Sequence, residues 1–261
     1  MKTISLLGCG WLGIPLAEAL IQKGFIVKGS TTSANKLPIL QNKGIEPFLI
    51  ATETDAVEGD VALFLKDSDV LIIDIPPRLH FSQKMAALVP FIQDSGLKKV
   101  LLVGSVGVYD DANSTVTEAD IPNPKTEKSK QLFDAENLLR GNSHFQTTIV
   151  RFGGLIGGNR HPVKFLSGKT DLENPDAPVN LIHLHDCIGI ILKIIETETW
   201  GETFNAASPY HPTREDYYTQ KAAEFDLIAP RFNHSAASSG KTIDSSKLQQ
   251  MLGYTFQFRD L

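Results

Sequence analysis

The residues with the clearest chemical consequence stand near the start of the chain. Gly8-Cys9-Gly10-Trp11-Leu12-Gly13 has the spacing G-x-G-x-x-G. It follows an apolar run, Thr3 to Leu7, and opens a segment with helical periodicity, Trp11 to Lys23, that stops at Gly24. A glycine turn between a strand and a helix is a phosphate cradle. The first glycine permits the tight turn, the second lets the backbone approach a pyrophosphate, and the third lets the helix pack on the strand. The helix N-terminus adds free N–H groups and a partial positive charge. Gly8, Gly10 and Gly13, with Trp11 and Leu12 between them, are therefore expected to bind a dinucleotide. Trp11 either lies along that cofactor or covers a junction between lobes. Cys9 reads as a small filler rather than a nucleophile.

The end of the second strand bears on which dinucleotide binds. A site for NAD usually carries a carboxylate there to bond the ribose 2′-hydroxyl. No Asp or Glu occurs between Glu18 and Glu46, and the strand instead ends in Thr31-Thr32-Ser33 with Lys36 following. Hydroxyls and a lysine suit a 2′-phosphate, so NADP(H) is expected over NAD(H), which stays possible. Lys36 is a point charge rather than a planar clamp, and it reads equally as an exposed helix lysine.

These groups need a scaffold, and the chain provides one. Phe25 to Ser30, Pro47 to Ile50, Asp69 to Ile75, Lys99 to Val103 and Thr147 to Phe152 read as further strands. Helical segments at Ala34 to Lys43, His80 to Ser95 and Lys128 to Arg140 separate them. Strands alternating with helices mean βαβ units, hence a Rossmann-type, doubly wound α/β fold on a mainly parallel sheet. After Gly153, prolines break the pattern into short pieces. The expectation is a dinucleotide-binding domain over 1–155 and a small substrate lobe over 156–261. Segments such as Asp186 to Glu198 would return to the main sheet, making one compact unit.

Composition narrows the partners. The chain has 261 residues and a net charge of −5, and nucleic-acid binding would need a basic face. No apolar run is long enough to span a bilayer. Cys9 and Cys187 give no disulfide framework, which fits reduced thiols and a cytoplasmic location. His183 and His185 lack metal-ligand spacing with other His or Cys, so no metal is expected. No Gly-x-Ser-x-Gly elbow is present for a hydrolase.

Four further segments carry a resemblance. They are Ser105-Val106-Gly107-Val108-Tyr109, Arg151-Phe152-Gly153-Gly154-Leu155-Ile156-Gly157-Gly158, Asn180-Leu181-Ile182-His183-Leu184-His185-Asp186 and Gly201-Glu202-Thr203-Phe204-Asn205-Ala206. In this order the chain resembles the extended short-chain dehydrogenases/reductases, the NAD-dependent epimerase/dehydratase group. The resemblance implies that Ile75, Pro76 and Pro77 after the fourth strand, and Phe152, line the cofactor. It implies a serine, a tyrosine and a lysine at the nicotinamide, the tyrosine as general base with its pKa lowered by the lysine. Ser105 matches the serine. The alignment places Thr126 on the tyrosine and Lys130 on the lysine, and no tyrosine lies between Tyr109 and Tyr210. The chain thus resembles atypical members that have lost the tyrosine. Tyr109 is the substitute phenol, or a packing residue; Lys130 holds the ribose, or is a solvated helix lysine. Arg78 is a candidate to pair with a phosphate or an anionic substrate, and His80 follows it at the end of the fourth strand, which should line the adenosine or nicotinamide ribose; both read alternatively as surface loop residues. Two functions follow. One is an NADP(H)-dependent oxidoreductase, epimerase or dehydratase for a small sugar-like or carbonyl substrate. The other is a catalytically silent NAD(P)(H)-binding sensor or regulatory module. The resemblance also implies a homodimer paired through the helices at 80–95 and 128–140.

Overall fold

Seven apolar runs lie side by side in the computed structural model, which describes residues 2–259. They are β1 (Thr3–Leu7), β2 (Ile26–Thr31), β3 (Glu46–Leu49), β4 (Val70–Ile73), β5 (Lys99–Ser105), β6 (Gln146–Phe152) and β7 (Thr203–Ala206). Their order across the sheet is β7-β6-β5-β4-β1-β2-β3, with every neighbouring pair parallel. Parallel strands need crossovers, and helices supply them: α1 (Gly13–Gln22), α2 (Leu37–Asn42), α3 (Val61–Leu65), α4 (Phe81–Asp94), α5 (Glu127–Arg140) and, between β6 and β7, α6 (Val163–Leu166) and α7 (Leu184–Thr197); α8 (Arg214–Glu224) and α9 (Ser246–Leu252) follow β7.

Alternation along each strand divides the core between two faces. Val70 and Ile72 join Leu16 and Leu20 of α1, Ile190 and Ile194 of α7 and Leu248 of α9 on one face. Leu71 and Ile73 join Phe64 of α3, Met85 and Leu88 of α4 and Leu132 of α5 on the other. All four residues of β4 are buried, as a strand covered on both faces requires. The sheet is thus doubly wound, as its sequence pattern implies.

Beyond residue 155 the chain does two things. α7, β7 and α9 pack on the main sheet, whereas α6 and α8 close a smaller apolar core around Val163, Tyr217 and Ala222. Short strand pairs knit this part to the rest: Gly154–Ile156 with Leu181–His183, and Ser114–Val116 with Lys241–Ile243. Among the described residues, no helix is long and apolar enough to cross a membrane.

One buried polar network fixes the helix nearest the site. Arg151 on β6 donates from Nη2 to Glu136 Oε2 of α5 at 2.6 Å, and from Nη1 to the Tyr109 hydroxyl at 2.6 Å. Tyr109 donates in turn to Asn205 Oδ1 on β7 at 3.0 Å. Side chains of Arg151 and Glu136 are 2% and 0% exposed, so the charges satisfy each other in the interior.

Candidate functional site

The sheet reverses its winding between β1 and β4, the neighbours from which the chain proceeds to opposite edges. Ligands of open α/β sheets bind beyond the C-terminal ends of the strands at such a point. A cleft of about 740 Å³ lies there. Its walls are the loop after β1, Ile75 to Pro77 after β4, Ser105 to Tyr109 after β5, the first turns of α5, and Gly153 to Leu155 with Arg160 and Lys241 from the second half of the chain.

Each glycine of the loop has a distinct geometry. Gly8 has φ +111°, and a Cβ there would stand 2.2 Å from the carbonyl oxygen of Asp74. A Cβ on Gly13 would stand 2.1 Å from the carbonyl oxygen of Gly8, so helix and loop touch backbone to backbone. A Cβ on Gly10 would meet nothing within 4 Å. Gly8 and Gly13 are therefore required by packing, while Gly10 faces the open cleft. Ser30 ties the loop to β2: its Oγ accepts from Gly8 N at 2.9 Å and its carbonyl accepts from Cys9 N at 2.8 Å. Cys9 is buried, and burial pushes its thiol up to about 12, so it is not a nucleophile. Trp11 and Leu12 both line the cleft, and the Arg160 guanidinium lies 4.9 Å from the centre of the Trp11 ring.

Thr31, Thr32, Ser33 and Lys36 follow the same strand edge but do not line this cleft. Thr31 is buried and its Oγ1 accepts from Ser33 N at 3.2 Å, while Thr32 and Lys36 are exposed. Lys28 is committed elsewhere: its ammonium donates to the carbonyls of Leu63 and Lys66, capping the C-terminus of α3.

At the opposite end, Ser105, Tyr109, Thr126 and Phe152 all line the cleft, and Lys130 does not. The Ser105 Oγ accepts from Gly107 N at 3.1 Å, which leaves its hydrogen free to donate into the cleft. The Tyr109 hydroxyl is held by Arg151 and Asn205, and burial pushes the phenol above its ordinary value. Thr126 caps α5: its Oγ1 accepts from Ser129 N at 3.1 Å, in a reciprocal capping box. Lys130 is exposed, because α5 buries Ser129, Leu132, Ala135, Glu136 and Leu139 and turns position 130 away from that stripe. The residues of α5 that face the cleft are Lys128, Ser129 and Leu132. Lys130 therefore does not reach the cleft wall, whereas Lys128 is on it without a salt-bridge partner among the described residues. Arg78 and His80 are both exposed and absent from the lining.

Sequence reasoning passed over Asp74, Arg160, Lys125 and Lys241. Lys125 pairs with Asp110 at 3.0 Å, and Lys241 pairs with Asp111 at 2.6 Å. Asp74 stands beside the glycine loop, and burial pushes its carboxyl up to about 7, opposed by a bond from Gly13 N–H and by the Arg160 charge. The available signal for Asp74 was one charged residue ending an apolar strand at the sheet's C-terminal edge.

A glycine cradle at the switch point of a seven-stranded parallel sheet defines a dinucleotide-binding α/β protein. Residues 8–181 match the family described as NAD(P)H-binding, and the chain belongs to that family. It is 34% identical to Protein YeeZ of Escherichia coli strain K12, over all of this chain and 97% of that protein. Among solved structures it resembles a functionally unknown conserved protein from Silicibacter pomeroyi, with TM-score 0.83, 19% identity and coverage of 100% and 95%. It also resembles the UDP-glucuronic acid 4-epimerase of Bacillus cereus in complex with NAD, with TM-score 0.79, 19% identity and coverage of 98% and 92%. At these identities the structural likeness is one of fold.

Proposed function

We propose that the protein is an NADP(H)-dependent oxidoreductase, epimerase or dehydratase of the cytoplasm acting on a small sugar-like or carbonyl substrate. The observation that carries this reading is the cleft itself: the glycine loop forms one wall and a free-donor serine the other, and the volume falls within the range of about 300–1,000 Å³ usual for ligand pockets. A bound nicotinamide would supply or accept hydride. The chain's own task is to place the substrate oxygen and manage its proton. Ser105 donates to that oxygen. Lys128 takes the cationic role that the sequence alignment gave to Lys130, and stabilises negative charge or supplies the proton. Thr31, Thr32, Ser33 and Lys36 favour a 2′-phosphate through hydroxyls and one positive charge, with no carboxylate opposing it. The likeness in fold to the Bacillus epimerase in complex with NAD supports a dinucleotide cofactor.

A second reading has its own observation. The Tyr109 hydroxyl is engaged on both sides by Arg151 and Asn205, so the cleft offers no free phenol as base. That favours a silent sensor of NADP(H). Fluorescence titration with NADPH and NADH, followed by a panel of carbonyl substrates read at the nicotinamide absorbance, tests both. The enzyme reading expects tighter NADPH binding, turnover, and a fall of about 10²-fold in kcat for Lys128→Ala. NADPH binding with no turnover across the panel favours the sensor. Binding of neither nucleotide refutes both.

A further inference from the structure

The phosphate cradle already holds a carboxylate. Asp74 follows β4 on the cleft wall, and its Oδ2 lies 3.2 Å from where a Cβ on Gly13 would stand, near enough for the Gly13 N–H to favour the carboxylate. It thus occupies the N-terminus of α1 that a diphosphate would use. Three ionisable groups face it. Cys9 comes from the glycine loop, Cys187 from α7, and Arg160 from the loop beyond the strand Gly154–Ile156. Burial holds both thiols neutral, which leaves Arg160 as the facing charge. Among the described residues Arg160 has no carboxylate within ion-pair distance, and its guanidinium rests on Trp11 at the cleft wall.

We propose that the diphosphate of the dinucleotide displaces the Asp74 charge from the cradle, so that binding is accompanied by uptake of a proton at the Asp74 carboxyl and by transfer of Arg160 onto the phosphates. The inference rests on the NAD(P)(H) reading of the cleft. Its physics is that two negative groups at one helix N-terminus repel, and an adjacent like charge raises a carboxyl pKa. The phosphodiester groups are far too acidic to accept a proton near neutrality, so the carboxyl takes it from solvent. In the free protein, burial already lifts the Asp74 carboxyl to about 7. Above that pH the proton must be captured during binding, and affinity falls by up to about tenfold per pH unit; well below it, the Asp74 contribution is flat.

Calorimetric titration with NADPH, and with NADH in parallel, at about pH 8 in two buffers of different ionisation enthalpy counts the proton. Uptake approaching one proton per nucleotide is expected for the native protein. Asp74→Asn, a neutral isostere, is expected to take up none and to bind about tenfold more tightly at that pH. Arg160→Ala is expected to weaken binding about tenfold at low salt and to take up less of a proton than the native protein, because the free Asp74 carboxyl loses the positive charge that opposes its protonation. Binding to the native protein with no proton uptake overturns the inference and leaves the dinucleotide reading standing. So does a fall in affinity above about pH 7 that Asp74→Asn retains. Failure of both nucleotides to bind the native protein and Asp74→Asn refutes the two together.

Discussion

Replacing Glu136 by Leu strands a charge that the fold cannot hydrate. Arg151 is 2% exposed, and its Nε and Nη2 both donate to the Glu136 carboxylate, at 3.1 and 2.6 Å to Oε2. Removing one partner of such a pair costs about 3–5 kcal/mol, because the remaining charge stays desolvated. For a chain of this length each kcal/mol lowers Tm by about 2–4 °C, so the expected fall is about 6–20 °C. Restoring neutrality with Arg151→Met in the same molecule should recover most of the loss, since a hydrophobic pair of similar volume replaces a buried ion pair at little cost. Urea unfolding of the native protein, both single variants and the double variant closes the cycle. The coupling matters to the cleft, because Arg151 also holds Tyr109, and α5 presents Lys128 and Ser129. A loss below about 1 kcal/mol for Glu136→Leu, or a double variant no better than the sum of the singles, refutes the argument that the pair is desolvated and mutually dependent.

Two further predictions concern the loop and the smaller lobe. Gly10→Ala adds a methyl that meets no protein atom, so stability should hold within about 0.5 kcal/mol while dinucleotide affinity falls at least tenfold. Gly13→Ala drives a Cβ into the Gly8 carbonyl and should lose about 1–3 kcal/mol of stability as well. Unfolding curves and NADPH titration separate the two, and unchanged binding by Gly10→Ala would show that this glycine does not face the ligand. His161 is buried against Tyr217 and Phe225, and burial lowers its pKa from 6.5 to about 4. The unfolded chain therefore binds the proton first. The contribution is fully present above pH 6.5 and is lost as pH falls from 6.5 toward 4, by up to about 3 kcal/mol. His161→Phe keeps the stacking and should flatten Tm against pH across that window; parallel losses in both proteins would exclude His161 as the titrating group.

The sequence made the sheet legible because its signals are local. Thr3 to Leu7, the glycines and the periodic Ile14-to-Leu20 face lie within one βα unit, and the near-continuous Val70-Leu71-Ile72-Ile73 run announces a strand covered twice. The α5 face was equally available. Leu132, Ala135 and Leu139 mark the buried stripe, and stepping back one turn from Leu132 reaches 128 and 129 rather than 130. Aligning Ser129-Lys130 as a dipeptide did not use that period, which puts Lys128 rather than Lys130 on the cleft wall. The fate of Tyr109 was not local. Its hydroxyl meets Arg151 and Asn205, residues of two later strands, and only sheet order brings them together. Asp74 and Arg160 likewise meet only after the second half of the chain folds back over the glycine loop.

Charge in the cleft shows why a chain with net charge −5 can still receive an anionic cofactor. Net charge counts groups, whereas binding responds to those left without a partner at the site. Lys125 and Lys241 enter the cleft neutralised by Asp110 and Asp111, so they contribute little field. Lys128 and Arg160 line it without ion-pair partners among the described residues. The α1 N-terminus adds a further partial positive charge, which Asp74 opposes only while ionised. The field that a diphosphate meets is therefore set by four local contributors, Lys128, Arg160, the α1 N-terminus and Asp74. Screening supplies the check: added salt should weaken NADPH binding to the native protein more than to Arg160→Ala, and equal salt slopes would remove Arg160 from the account.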